Sequence, residues 1–197
     1  MPRVSRLQAD QHRLAIEKAS ARLFRERGLH GVSVAELMAA AGLTHGGFYG
    51  HFASKEALAA QACTRCFQQS RLRWRERIAA AGSRAAAHAD IVNAYLSPRS
   101  RDAAGSACPL PALAGDVARE PAGAPLRARF REGIAGLLGI LAGLQPVADG
   151  AQAHADALVE LSTLAGALLL ARATAGDALS DQFLAAARHA LTARSGS

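Results

Sequence analysis

Aromatic side chains are scarce in this chain: they make up 5% of it, with one Trp and two Tyr. A core that needed large flat rings is therefore excluded, and the abundant Ala and Leu favour helices packed through small residues. No stretch of eighteen apolar residues occurs, and no basic segment followed by a greasy one opens the sequence, so neither a membrane span nor a secretory leader is expected. Cysteine is limited to three residues, an odd number that fits reduced thiols in a cytoplasm better than a disulfide framework. The seven histidines are scattered. They form no HExxH, and the chain has no phosphate-binding glycine loop and no serine elbow, so nothing points to an enzyme, a metal or a cofactor.

Negative charge is scarce too, but only locally. The net charge is +7 over 197 residues. Residues 1–77 carry thirteen Lys/Arg against six Asp/Glu, whereas residues 78–197 carry ten of each. The whole excess lies in the first part. A basic segment joined to a neutral one is the electrostatic footprint of a protein that meets phosphate backbones, where counterion release contributes much of the affinity.

The basic part contains the most informative stretch, SVAELMAAAGLTHGGFYGHFASKEAL, from Ser33 to Leu58. Ser33 followed three residues later by Glu36 is a capping box. Val34, Leu37, Met38 and Ala41 recur at helical spacing, and Gly42 supplies the backbone freedom that ends the helix. Thr44 is placed to cap a second helix, expected from His45 to Phe52. Two short helices joined by a tight glycine-containing turn form a helix-turn-helix, whose second helix enters the major groove. That second helix carries Gly46, Gly47 and Gly50, each costing about 1 kcal/mol relative to Ala. Phe48 and Phe52 must therefore anchor it, while the glycines let its backbone approach base edges and sugars closely.

Upstream, a helix is expected from Gln11 to Arg27, with Ile16, Ala19, Leu23 and Phe24 buried and Arg13, Lys18, Arg22 and Arg25 elsewhere on its surface. Gly28 ends it, and Met1–Asp10, with Arg3 and Arg6, reads as a basic arm without order of its own. Downstream, a long helix is expected from Ser54 to Ala81, with Leu58, Ala62, Phe67, Leu72 and Trp74 as its apolar contacts. Cys63 and Cys66 lie three apart on it. Without a second pair at metal-like spacing they read as small buried residues rather than zinc ligands. Further helices are expected at 85–96, 110–119, 126–144, 152–173 and 180–193, with a polar loop from Ser97 to Pro109 and a turn from Gln145 to Gly150. Gly133, Gly136, Gly139 and Gly143 either let another helix approach closely or leave room for a ligand. The last two helices are apolar on more than one face, which a single small domain cannot cover, so self-association through them is expected.

In Ala41-Gly42-Leu43-Thr44, Phe48-Tyr49, His51-Phe52 and Lys55 with Leu58, preceded by Ile16, Ala19, Leu23, Phe24 and Gly28, the first 60 residues resemble the DNA-binding signature of the TetR family of transcriptional regulators. The resemblance implies an all-α fold with a three-helix helix-turn-helix DNA-binding domain over residues 1–54. Residues 55–197 would form a helical domain for effector binding and dimerisation. It further implies phosphate contacts from Thr44, Tyr49 and Lys55, with His45 facing base edges. Gly46 and Gly47 would lie against the DNA, and Ser33 would serve as helix cap and phosphate donor together. Gly47 and Gly50 depart from the larger or hydroxylated residues common in that family, which shifts sequence discrimination towards DNA shape. His51 is open between a DNA contact and inward packing.

The implied partners are duplex DNA, a second copy of the chain and a small-molecule effector, with no membrane. The effector pocket is expected among Phe67, Trp74, Tyr95, Phe130 and Leu137, although a lone Trp equally suits an ordinary core. Cys108, at a helix amino end where the dipole favours a thiolate, is a candidate sensor of electrophiles or oxidants. The function these readings imply is a repressor released from a pseudo-palindromic operator by its effector. The alternatives are sensing through Cys108 or, more remotely, a helical enzyme.

Overall fold

The computed structural model describes residues 6–145 and 149–193, and these are helical with no strand. Arg3, in the anticipated basic arm, and the middle of the Gln145–Gly150 turn lie outside the described residues. Helix α1 spans Arg6–Arg27 and so starts well before the expected Gln11, taking in Arg6. Gly28 ends it at φ +75°, a conformation that glycine adopts without steric cost. Helix α2 spans Val34–Ala40 behind the Ser33 capping box: Ser33 Oγ accepts from the Glu36 amide, and the Ser33 amide donates to Glu36 Oε2 at 2.8 Å. Gly42, at φ +73°, then turns the chain.

The recognition segment departs from the α-helix expected from His45 to Phe52. It is a six-residue 3-10 turn, His45–Gly50, with Thr44 at its cap position making no side-chain cap bond. Three glycines in six residues leave little propensity to propagate an α-helix, and 3-10 geometry is used in such short pieces. Burial holds the turn instead: Phe48 and Phe52 are sunk into the core, with ring centroids 5.9 Å apart. Together α1, α2 and this turn make a compact amino-terminal unit around Ile16, Phe24, Leu37, Met38 and Phe48.

Helix α3, Lys55–Ala80, leaves that unit from the Ser54 cap and runs into the second group of helices. These are α4 (Arg84–Tyr95), α5 (Pro98–Asp102), α6 (Leu110–Arg119), α7 (Pro125–Leu144), α8 (Gly150–Ala173) and α9 (Ala178–Ala193). The expected polar loop from Ser97 to Pro109 is largely ordered into α5 and a 3-10 turn at Ala104–Ser106, since Ser97 caps α5 and Pro98 suits its first position. Leu72, expected among the apolar contacts of α3, is exposed; its neighbours Ser70 and Trp74 take the buried positions. Cys63 and Cys66 are buried as expected, and burial pushes their thiols up to about 12 and about 11.

The most extensive helix packing joins α3 to α7. A Cβ at Gly133 would fall inside the Phe67 ring, and one at Gly136 would strike the Arg71 side chain, whereas Gly139 and Gly143 face open space. Of the two readings of these glycines, close approach therefore holds for the first pair. Gly133→Ala gains about 1 kcal/mol of helix propensity but forces the buried Phe67 ring out of its site, an overpacking penalty of about 1–3 kcal/mol. A net loss is expected in denaturant unfolding, and adding Phe67→Leu should recover most of it. Equal stability of the single variant and the parent would mean that α3 and α7 are not held at this glycine.

Helix α8 is, by length and composition, long and apolar enough to cross a membrane, and about a third of that stretch is buried. Its buried face includes Glu160, which accepts from Gln145 Nε2 at 2.8 Å and lies 2.8 Å from His88 Nε2. Its other face is exposed.

A candidate nucleic-acid interface and a polar cavity

The 3-10 turn has two faces. Phe48 and Phe52 point inward, while Thr44, His45 and Tyr49 point outward, Tyr49 with 73% of its surface exposed. None of these three outward side chains makes a hydrogen bond within the described residues, and Gly46 and Gly50 have open space where a side chain would stand. Ser33 is exposed at the start of α2, beside the turn in the same unit. Its hydroxyl donates to Glu36 Oε2 at 2.8 Å, and these Ser33 hydrogen bonds hold the Glu36 carboxyl below its ordinary range. Lys55 is half-buried at the start of α3 with no ion-pair partner among the described residues, lining a small apolar cleft with Leu29, Glu120 and Leu126. A cation at a helix amino end opposes the dipole, so the helix itself does not account for it.

His51 is drawn inward. Its ring stands edge-on to that of His12, 5.9 Å away, and burial together with His12 and Arg13 pushes its imidazolium pKa down. Arg13 closes this end of the turn: it donates to the His51 carbonyl at 3.0 Å and to Gln61 at 2.6 Å, with its guanidinium 4.8 Å from the Phe52 ring. Helical spacing alone puts Arg13 on the helix surface, because its partners are 38 and 48 residues away.

Arg25 is the larger correction. Expected on the surface of α1, it is buried, donating to the Ala21 carbonyl, to the Ala107 carbonyl at 3.0 Å and to Gln69. It thereby ties α1 to the segment ahead of α6. The Leu29 amide, just beyond α1, donates to Asp116 of α6 at 2.7 Å and adds a second tie.

That segment also walls a cavity of about 500 Å³ between α3, the end of α4 and residues 97–108. Of the five anticipated pocket residues, Trp74 and Tyr95 line it, their rings 6.2 Å apart. Phe67, Phe130 and Leu137 do not: they fill the core, with Phe67 edge-on to Phe130 at 5.4 Å. The lining that sequence reasoning missed is polar and basic, Arg73, Arg77 and Arg99 with several serines. Cys108 lines it too, buried, and burial raises its thiol further than the Tyr95 hydroxyl, the Leu110 amide and Arg73 lower it. The helix-end argument for a thiolate is outweighed by desolvation.

Residues 16–62 match the family described as bacterial regulatory proteins, tetR family. Over that segment the chain is similar to the TetR family of transcriptional regulators. Solved structures extend the likeness in fold beyond the matched segment. A TetR transcriptional regulator from Chloroflexus aurantiacus is 25% identical, with 95% of each chain covered and a TM-score of 0.77. One from Legionella pneumophila is 18% identical, covering 98% of this chain and 99% of its own, at 0.78. NemR of E. coli in its reduced form is 20% identical, covering 90% and 95%, at 0.74. No curated protein matches the chain. The matched segment contains α2 and the 3-10 turn, and so the outward face described above.

Proposed function

We propose that the chain is a homodimeric repressor. Residues 1–54 hold a pseudo-palindromic operator, and residues 55–197 dimerise and bind a small effector that releases the DNA. The supporting observation is the outward face of the recognition turn: polar, unpaired among the described residues and backed by two buried phenylalanines, in the part of the chain that holds all the excess positive charge. Thr44, Tyr49, Lys55 and Ser33 bind phosphates, His45 faces base edges, and the bare backbone at Gly46 and Gly47 lies close to the groove. His51 packs against α1 and positions the turn. The second copy docks through α8 and α9, whose Leu158, Val159, Leu169, Leu170 and Leu179 are exposed. Two turns related by that twofold read successive major grooves, and α3, which joins the two parts, is the lever that changes their spacing. An effector need prefer the released conformer by only a few kcal/mol. The reading places the protein in the cytoplasm, with DNA and no membrane as its partner.

The test is DNA titration across salt, with duplexes selected from the DNA flanking the gene. Affinity should fall steeply as salt rises. Lys55→Ala should weaken all duplexes alike and lower the salt slope by about 1. His45→Ala should weaken only the selected operator, by about 1–3 kcal/mol. Affinity that is indifferent to salt, or to Lys55→Ala, would refute the phosphate contacts. A second reading routes release through Cys108, which lines the cavity. Cys108→Ser would then abolish any response to electrophiles, whereas an unchanged response would leave the cavity as the route.

A further inference from the structure

The Arg73 side chain is half-buried in the cavity wall. It donates to Ser70 Oγ at 3.2 Å and has no carboxylate partner among the described residues; the arginines whose charge acts on it, Arg25 and Arg77, are of like sign. Arg99 also lines the cavity without an ion-pair partner among the described residues, and Arg77 alone is neutralised, by Asp90 at 2.6 Å on the exposed side. No Asp or Glu is among the lining residues. The Tyr95 hydroxyl is buried there, and beside it only the Cys108 thiol, a weak hydrogen-bonding group, can partner it. A buried hydroxyl that meets only a thiol falls well short of the hydrogen bonding it has in water, which is costly. A partly desolvated arginine without a counter-charge is costlier still. Both are relieved by one kind of occupant. Trp74, edge-on to Tyr95, supplies a flat apolar surface beside these groups.

We propose that this cavity binds a small organic anion, an aromatic or otherwise flat apolar body bearing a carboxylate or another oxyanion. Arg73 and Arg99 hold the oxyanion, the Tyr95 hydroxyl donates to it, and the body lies against Trp74. Guanidinium groups suit this role because their planar donors match oxyanions two at a time. The volume, about 500 Å³, is within the ~300–1,000 Å³ of sites for ligands of drug size. A neutral or cationic effector would leave the arginines uncompensated. The proposal rests on the effector reading above and gives the effector its chemical class.

Trp74 is the only tryptophan of the chain, so its fluorescence reports on this cavity alone. The probes are 8-anilinonaphthalene-1-sulfonate and its uncharged counterpart N-phenyl-1-naphthylamine. The sulfonate should bind at one molecule per chain, quench Trp74, and bind at least tenfold more tightly than the uncharged probe. 1-Naphthoate should displace it and 1-naphthamide should not. Arg99→Gln, at an exposed position that folding does not need, should weaken sulfonate binding about tenfold and leave the uncharged probe unchanged; Arg73→Gln should do the same. Tyr95→Phe should weaken the sulfonate several-fold while leaving thermal stability equal or higher, a combination that a structural role would not give.

Equal affinity for the two probes, or sulfonate binding indifferent to both arginine variants, overturns the proposal. DNA titrations on the same preparations separate the two readings. Salt-dependent DNA binding with no discrimination between the probes removes the anion class alone. Discrimination without DNA binding removes the regulator reading and leaves the anion site standing.

Discussion

Phe48→Ala should unfold the recognition turn and abolish DNA binding at every sequence. The ring is fully buried, packs against Phe52, and holds a short 3-10 turn whose three glycines give it little intrinsic order. Removing a buried phenylalanine costs about 3–5 kcal/mol, against a whole-domain stability of about 5–15 kcal/mol. The 3-10 turn has no local propensity with which to absorb that loss. Thermal unfolding should shift to markedly lower temperature, with the amino-terminal unit going first. Tyr49→Phe, one residue away but exposed, is the control: it should leave stability unchanged and weaken DNA binding only. Native-like melting and intact DNA affinity for Phe48→Ala would mean that something other than this ring holds the turn.

Leu158→Glu combined with Leu169→Glu should give a monomer at micromolar concentration and lower operator affinity by about a hundredfold or more. Both side chains stand exposed on α8, and next to them along the helix are Val159 and Leu170, also exposed. Each such side chain contributes about 1.5–3 kcal/mol when fully covered, and twofold symmetry counts every one twice. Two carboxylates per chain replace that gain with charge repulsion across the axis. The substituted residues are at the surface, so the fold of each chain should survive. Light scattering decides the matter: a double variant that stays dimeric places the interface elsewhere.

Features set by neighbours in sequence were legible without coordinates. The Ser33–Glu36 capping box, the glycines at positions 28 and 42 and the two anchoring phenylalanines depend on spacing and backbone freedom, and all stand where expected. Features set by distant partners were not. Arg13 and Arg25 have the composition of a solvated helix face, and only the His51 and Ala107 carbonyls, far along the chain, draw them inward. The recognition segment shows why propensity matters even where a motif is clear, since its glycines tighten an expected α-helix into a 3-10 turn. The pocket was half legible. A large ring in a helix has the same periodicity whether it lines a cavity, as Trp74 does, or fills the core, as Phe67 and Phe130 do. Arg73 and Arg77 were hidden by the abundance of arginine in the first part of the chain, and Arg99 by a segment that reads as a polar loop.

The segment 104–107 is a party wall. On one side it bounds the space next to Trp74; on the other, Gly105 lies so close to α1 that a Cβ would meet the side chains of Glu26 and Arg22, and Ala107 receives Arg25. The Ala107 carbonyl holds Arg25 of α1, and the same helix, through Arg13, holds the His51 carbonyl at the end of the recognition turn, so a shift of this wall would bear on both.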